Sequence, residues 1–211
     1  MSYHEEQETL DQLKAWWNQW GNAVTGVVLV AALAAAGWNG WHYWQRRQAG
    51  EAVALYEKAQ QAVEGGDKAM MSRTAADIES QFSRTAYAQM TALLVAHGLY
   101  DAGDVAGAKA QLQWAIDHAQ DPAYSDIARV RLAGVLLDEK AYDAGLKLVD
   151  EPATDAFKAL FADRRGDLLA AQGKLGDARH AYQIALDAMG TDNASARQLV
   201  QFKLDALGSA G

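Results

Sequence analysis

Apolar and polar positions divide this chain into two unlike parts. From Ala15 to Gln45, 31 residues pass without one formal charge, between Lys14 and Arg46. The centre of that run, Ala23 to Gly37, is almost wholly Val, Leu and Ala with a single Thr. A stretch of this length exceeds the ~20 apolar residues that cross a bilayer as a helix. After Gln48 the pattern changes to apolar residues at three- and four-residue spacing, the signature of amphipathic helices. Helices are predicted over 48–64, 70–82, 86–102, 105–119, 123–139, 142–149, 154–172, 175–189 and 194–207. No sustained period-two alternation occurs, so no sheet is expected. The division is therefore a short acidic segment 1–20, a transmembrane helix 21–45 and a helical domain 46–211, all-α throughout.

The aromatic residues sharpen the membrane reading. Six of the seven tryptophans lie in the uncharged run. Trp16, Trp17 and Trp20 precede its apolar centre; Trp38, Trp41, Tyr43 and Trp44 follow it. Trp20 and Trp38 are separated by ~27 Å at helical rise, close to the ~30 Å hydrocarbon core. Indoles prefer the headgroup level, so the two clusters are expected to be interfacial belts. A buried core helix does not need so long an uncharged run flanked by tryptophans. A cleaved signal peptide is the sharper alternative, because Ala34-Ala35-Ala36 resembles a cleavage site. The preceding region, however, is acidic (Glu5, Glu6, Glu8, Asp11), and the belt continues past the would-be cut. A retained single-span anchor is the reading adopted. Leu10, Leu13, Trp17 and Trp20 share one helical face leading into it. Ala32, Ala36 and Gly40 form a small-residue stripe on which another membrane helix could approach closely. Arg46 and Arg47 after the span against Lys14 before it favour, by the positive-inside rule, a large domain on the cytoplasmic side by a thin margin.

The helical part contains a repeat. Gly103 to Ala115, Lys140 to Val149 and Gly173 to Ala185 each begin with a turn and place a small residue five positions on (Ala108, Gly145, Ala178). A large apolar residue follows four later (Leu112, Val149, Tyr182). The small residue lets two helices of a hairpin cross closely, and the bulky one is expected to fill space towards the next hairpin. Gly65-Gly66-Asp67, Gly103-Asp104 and Gly173-Lys174 read as inter-helix turns. Pro122 and Pro152 fall between helices. This resembles the tetratricopeptide repeat, a helix–turn–helix unit of 34 residues, with Gly166 at the first-helix glycine of the third copy. Residues 48–82 look like a further pair without the signature. The expected domain is an α-solenoid of three to four hairpins, closed by 194–207 as a cap that hides the last apolar face.

Composition and chemistry then narrow the function. The chain carries −8 overall, and after residue 50 there are 16 Lys/Arg against 23 Asp/Glu, which argues against nucleic-acid binding by a basic face. There is no cysteine, hence no disulfide framework or thiol chemistry. The five histidines make no metal-ligand spacing, and no phosphate loop or nucleophile elbow is present. No catalytic, cofactor-binding or metal-binding residue is expected, and the enzyme class has nothing to rest on. The residues of a protein-binding groove are expected to be Met90, Leu93, His97 and Tyr100, on the first helix of the first clear repeat, and Asp163 and Asp167, four apart on one helix face.

Several features resemble the YfgM family of ancillary SecYEG translocon subunits: Tyr3 with Glu5-Glu6-Gln7-Glu8, then Leu13 and Trp16-Trp17 leading into the span. Gly37-Trp38, Trp41 and Tyr43-Trp44 follow at its end, and Ala162-Asp-Arg-Arg-Gly-Asp-Leu-Leu169 with Gly173 comes late in the chain. The resemblance implies a single-pass protein of the bacterial inner membrane, amino terminus cytoplasmic and repeats periplasmic. It implies the SecYEG translocon and periplasmic chaperones such as the membrane-anchored PpiD as partners. The implied role is non-enzymatic binding of translocated polypeptides. An assembly scaffold and a cytoplasm-facing adaptor of opposite topology are the alternatives.

Overall fold

The structure is a computed structural model describing residues 2–152, 154–190 and 193–208, with 2–13 and 45 described by backbone alone. The side chains of Leu10 and Leu13 thus lie outside the described residues. The described residues contain helices and turns and no strand. Helix α1 runs from Ser2 to Glu64. Then come α2 (Lys68–Phe82), α3 (Ala86–Asp101), α4 (Val105–His118), α5 (Pro122–Asp138) and α6 (Tyr142–Leu148). A short 3-10 turn (Asp155–Phe157) precedes α7 (Lys158–Ala171), α8 (Leu175–Ala188) and α9 (Ala194–Ala206). The chain forms two compact units, 1–48 and 49–211.

In the first unit the helical backbone is unbroken, so residue 20 does not mark a helix end, nor does residue 45. Among the described residues one helix is long and apolar enough to cross a membrane. Its apolar side chains are exposed among the described residues: Val27 is 70% and Leu33 71% exposed. The tryptophans are exposed too, with Trp16 beside Trp17 (ring centroids 6.3 Å) and Trp41 beside Trp44 (5.6 Å). Ala32, Ala36 and Gly40 are all exposed.

The second unit is an array of hairpins. The end of α1 packs on α2 and α3 through Ala59, Ala62, Met71, Ala75, Val95 and Leu99. Then α3 pairs with α4, α5 with α6, and α7 with α8. Helix α9 closes the end, where Val200 joins Ala178, Ala181, Tyr182 and Ala185. The turns inside its four hairpins are one structure used four times. At residues 66, 103, 140 and 173 the backbone has positive φ, and that residue's N–H bonds the carbonyl three back. The following N–H bonds the carbonyl five back, at 3.0, 2.7, 2.8 and 2.9 Å in turn. This is the helix-ending left-handed motif. The first pair, which carries no signature in its sequence, thus has the turn of the others.

Three of the four positions are glycine; the third is Lys140, at φ 61°. An L-residue there meets its own carbonyl, at a cost of about 1–2 kcal/mol, partly balanced by the greater freedom glycine loses on folding. Lys140→Gly is expected to stabilise the domain by about 0.5–1 kcal/mol. A rise in the thermal midpoint of the full chain in detergent checks this; an unchanged or lower midpoint goes against it.

Several boundaries differ from expectation for local reasons. Asp67 accepts a hydrogen bond from the Met70 N–H (2.9 Å), so α2 begins at 68 rather than 70. Pro122 does not separate helices but opens α5 at its first position, where a missing N–H does no harm, with Asp121 as cap. The helix expected from 154 starts at Lys158, after the 3-10 turn. The small residues are buried as predicted: Ala108 and Ala178 are fully covered, and Gly145 lies under Leu168. Tyr182, however, does not point to a neighbouring hairpin. Its ring lies on Gly166 of its own hairpin, where a Cβ would fall 2.4 Å from Cε1.

The segment between α6 and α7 is held by a buried acid. Asp126 of α5 is 0% exposed. It accepts hydrogen bonds from the Thr154 N–H (3.0 Å) and hydroxyl (3.1 Å) and from Arg129 Nη1 (3.3 Å). Arg129 also donates to the carbonyls of Leu148 (2.8 Å) and Glu151 (2.9 Å) and lies over the Phe161 ring, 4.8 Å from its centroid. One acid and one base thus tie α5 to the turn that launches α7.

Candidate functional site

The first helices of successive hairpins, α3, α5 and α7, share a face. On it opens a cleft of about 400 Å³ lined by Ala96, His97 and Tyr100 of α3, Leu112 of α4, Arg131, Gly134, Val135 and Asp138 of α5, and Arg164 of α7. These positions come together because α5 presents residues 131, 134, 135 and 138 one or two turns apart on one side. Ala96, Leu112 and Val135 are buried and make the apolar wall. Tyr100 donates its hydroxyl to Asp138 Oδ2 at 2.6 Å, and its acidity is weakened, chiefly by that bond. His97 stands 3.5 Å from Asp101 and is well exposed.

Of the six groove residues expected from sequence, the cleft takes His97 and Tyr100. Leu93 is buried in the core with Leu112 and Leu132, because α4 and α5 cover that side of α3. Met90 is half-buried and lies outside the lining. Asp163 and Asp167 share a face, but α9 covers it. Lys203 Nζ lies 2.8 Å from a carboxylate oxygen of each, and the Tyr182 hydroxyl donates to Asp167 Oδ1 at 2.9 Å. Burial holds the Asp163 carboxyl above its usual range; Lys203 pulls it down and Asp167 pushes it up. Burial, then the charge of Asp167, pushes Tyr182 up as well. This group packs the end of the array, its charged side chains 15–26% exposed.

The tetratricopeptide repeat-like domain family matches residues 14–209. A protein of Neisseria gonorrhoeae named "Ancillary SecYEG translocon subunit" is 31% identical over 210 residues, 96% of this chain and 97% of its own. The chain belongs to the family of ancillary SecYEG translocon subunits. Relatives of the same name in Haemophilus influenzae and Escherichia coli are each 27% identical, covering 96% and 97% of this chain and 98% of their own.

Within this family member the cleft residues that sequence reasoning missed are Ala96, Leu112, Arg131, Gly134, Val135, Asp138 and Arg164. Their signal was present but weak. Arg131, Gly134 and Asp138 repeat at helical spacing on a first helix, as His97 and Tyr100 do one repeat earlier. Arg164 is next to Asp163 in the sequence, yet its side chain reaches across to Gly134 of α5. The described residues contain no group of three or more His, Asp or Glu able to hold a metal ion. What the cleft can do is bind: it offers an apolar wall, two guanidinium groups and a tyrosine-held carboxylate.

Proposed function

We propose that the chain is a non-catalytic protein-binding subunit, anchored in the bacterial inner membrane beside the SecYEG translocon. The carrying observation is that relatives named for this translocon align along 96% of the chain, anchor and repeats together. Residues 21–45 form the anchor, with Trp16, Trp17 and Trp20 in one interfacial belt and Trp38, Trp41, Tyr43 and Trp44 in the other. The exposed stripe Ala32, Ala36 and Gly40 packs against a membrane helix of the partner complex. The amino terminus lies in the cytoplasm and domain 46–211 in the periplasm. There its cleft holds translocated polypeptides, together with chaperones such as PpiD. Tethering raises the local concentration of the cleft near emerging chains, so weak affinity suffices. The acidic charge sets nucleic acid aside as a partner.

The test is a photo-crosslinking residue at position 100 of the full chain, in cells carrying a stalled secretory protein. Adducts with the stalled chain or a chaperone are the expected result. Adducts confined to subunits of the membrane complex would instead support an assembly scaffold. A second reading, a cytoplasm-facing adaptor, has Arg46 and Arg47 in its favour. Protease added to spheroplasts is expected to digest the repeat domain from outside; protection until permeabilisation would establish the adaptor topology.

A further inference from the structure

Resting on the protein-binding reading above but at a different surface, we infer that the groove between α7 and α8 seats an amphipathic helix of a partner protein, one with acidic side chains two turns apart on the flank facing α7. The second helices α4, α6 and α8 each begin two residues after a turn of positive φ, at Gly103, Lys140 and Gly173. Helices α4 and α8 run for 14 residues, α6 for seven. The sequence stops α6 where it does. Pro152 has no N–H for the Leu148 carbonyl, and its ring would clash with that carbonyl in a helix. Arg129 donates to it instead, at 2.8 Å, and to the Glu151 carbonyl at 2.9 Å. The short helix is thus a finished end, and two turns present in the other copies are missing beside α7 and α8.

One repeat earlier those turns are in place. Leu112 and Ala115, in the second half of α4, pack with Ala128 and Leu132 of α5, and Ile127 and Leu136 lie partly buried against the same cluster. The turns at Lys140 and Gly173 set the next copy 33 residues on. That step takes Ile127, Ala128, Leu132 and Leu136 to Leu160, Phe161, Arg165 and Leu169. Phe161, Arg165 and Leu169 line a groove of about 480 Å³, with Ala181 and Ile184 on its α8 wall. Leu160, counterpart of the partly buried Ile127, is 41% exposed, and Ile184 is 45% exposed. Apolar side chains left open where the neighbouring copy covers its own mark a docking seat. The missing cover is helical, so the fitting ligand is a helix with anchors at i, i+4 and i+7.

Charge selects which helix. On α5, which α4 covers, the counterparts of Lys158 and Arg165 are Ser125 and Leu132, both uncharged. On α7 the two positions are basic and line the groove. They stand seven residues apart, ~10.5 Å along the helix, so both point to one side. Each has an acid of the connecting segment beside it, Asp155 at 2.8 Å from Lys158 and Asp150 at 3.0 Å from Arg165. Both acids are well exposed, and ion pairs so open to water contribute little. A partner's carboxylates that shut water out can therefore take their place. The α8 wall carries Asp177 and His180. An acid on that flank would be repelled by Asp177, whereas acids at i and i+7 on the α7 flank meet two cations.

The chain has no cysteine, so a single thiol can report on the groove. Ile184→Cys places it on the α8 wall; Leu199→Cys, on the exposed side of α9, is the control. Each full chain, in the same detergent, is mixed with a stapled alanine-rich helix of about four turns. The helix has a leucine stripe, glutamates at i and i+7 on one flank, and in mid-stripe a cysteine held as its disulfide with thionitrobenzoate. Attack of the chain's thiolate on the peptide sulfur joins the two and releases coloured thionitrobenzoate. Each rate is divided by that with the small symmetrical disulfide of the same reagent, which cancels thiol reactivity. The Ile184→Cys chain is expected to couple at least tenfold faster than the Leu199→Cys chain. It should also prefer the glutamate helix at least fivefold over helices with glutamine or lysine in those places. Adding Lys158→Gln and Arg165→Gln should abolish that preference. Equal rates at the two positions would overturn the inference, and so would equal rates for the three helices or a preference for lysine. Activating half of the Ile184→Cys chains with the reagent and mixing them with the rest tests a second copy. Coupling faster than with the glutamate helix would overturn the inference in its favour. Ala188→Cys, on the same wall, repeats the comparison should Ile184→Cys fail to fold. None of these outcomes involves the cleft, so the crosslinking at position 100 judges the broader reading by itself.

Discussion

Replacing Asp126 with alanine is expected to lower the stability of the repeat domain by about 3 kcal/mol, as for removing one partner of a buried, hydrogen-bonded ion pair. The carboxylate is 0% exposed, and without it the Thr154 N–H and hydroxyl lose their acceptor. Arg129 keeps its bonds to the Leu148 and Glu151 carbonyls, so its charge is not wholly stranded. For that reason the lower end of the range for a broken buried pair applies. Asp126→Asn keeps the shape but loses the charge, and its amide group turns a donor towards donors; about half the loss is expected. Thermal and denaturant unfolding of the full chain in detergent, followed by far-ultraviolet circular dichroism, measures both. Proteolysis should also concentrate in the segment between α6 and α7. A loss below about 1 kcal/mol for the alanine variant, the worth of an ordinary single hydrogen bond, would show that the clamp carries little.

Gly166→Ala is expected to destabilise by about 2–3 kcal/mol, at the upper end for overpacking a close contact. Its new methyl would stand 2.4 Å from Tyr182 Cε1 and 2.5 Å from Cδ1. The ring has little room to withdraw. Its hydroxyl is bonded to Asp167, and Lys203 lies over its face at 5.8 Å. A double-mutant cycle separates this contact from ordinary helix effects. Tyr182→Ala alone should cost about 3–5 kcal/mol through the cavity it leaves. In that background Gly166→Ala should become neutral or favourable, because alanine is the better helix former by ~1 kcal/mol. Strict additivity of the two changes would mean that the two residues do not meet as described.

These two positions illustrate how far a sequence carries an argument of this kind. Gly166 is visible in the repeat pattern because small residues at crossings recur at fixed spacing. The helices were legible for the same reason: periodicity, turn glycines and an uncharged run are local signals. Asp126 was not legible. Four residues after Pro122, it reads as an ordinary acid near the start of a helix, and its partner Thr154 is 28 residues away. At Lys140 the repeat marks a turn, but only backbone geometry shows that a lysine has taken a glycine's conformation. In the cleft, His97 and Tyr100 could be read from their place on a first helix. Arg164 could not, because its position over Gly134 depends on how α7 lies on α5. Asp163 and Asp167 were misplaced for a related reason: a cap predicted in outline does not reveal which side chains it covers.

The Asp126–Arg129 clamp also has a consequence for how the array comes apart. In a chain of stacked hairpins each unit touches only its neighbours, so cooperativity is set junction by junction. Between the α5–α6 and α7–α8 hairpins, α6 has seven residues, and the apolar cluster of Val130, Ala133, Val149, Phe161 and Leu168 is flanked by a polar knot. Polar knots are all-or-none: partly satisfied, they are worse than an apolar seam. Loss of the knot is therefore expected to divide the domain into two opening units at that junction. Amide exchange would then proceed as two separate cooperative events, one on either side of Thr154, rather than as fraying that spreads evenly from the ends.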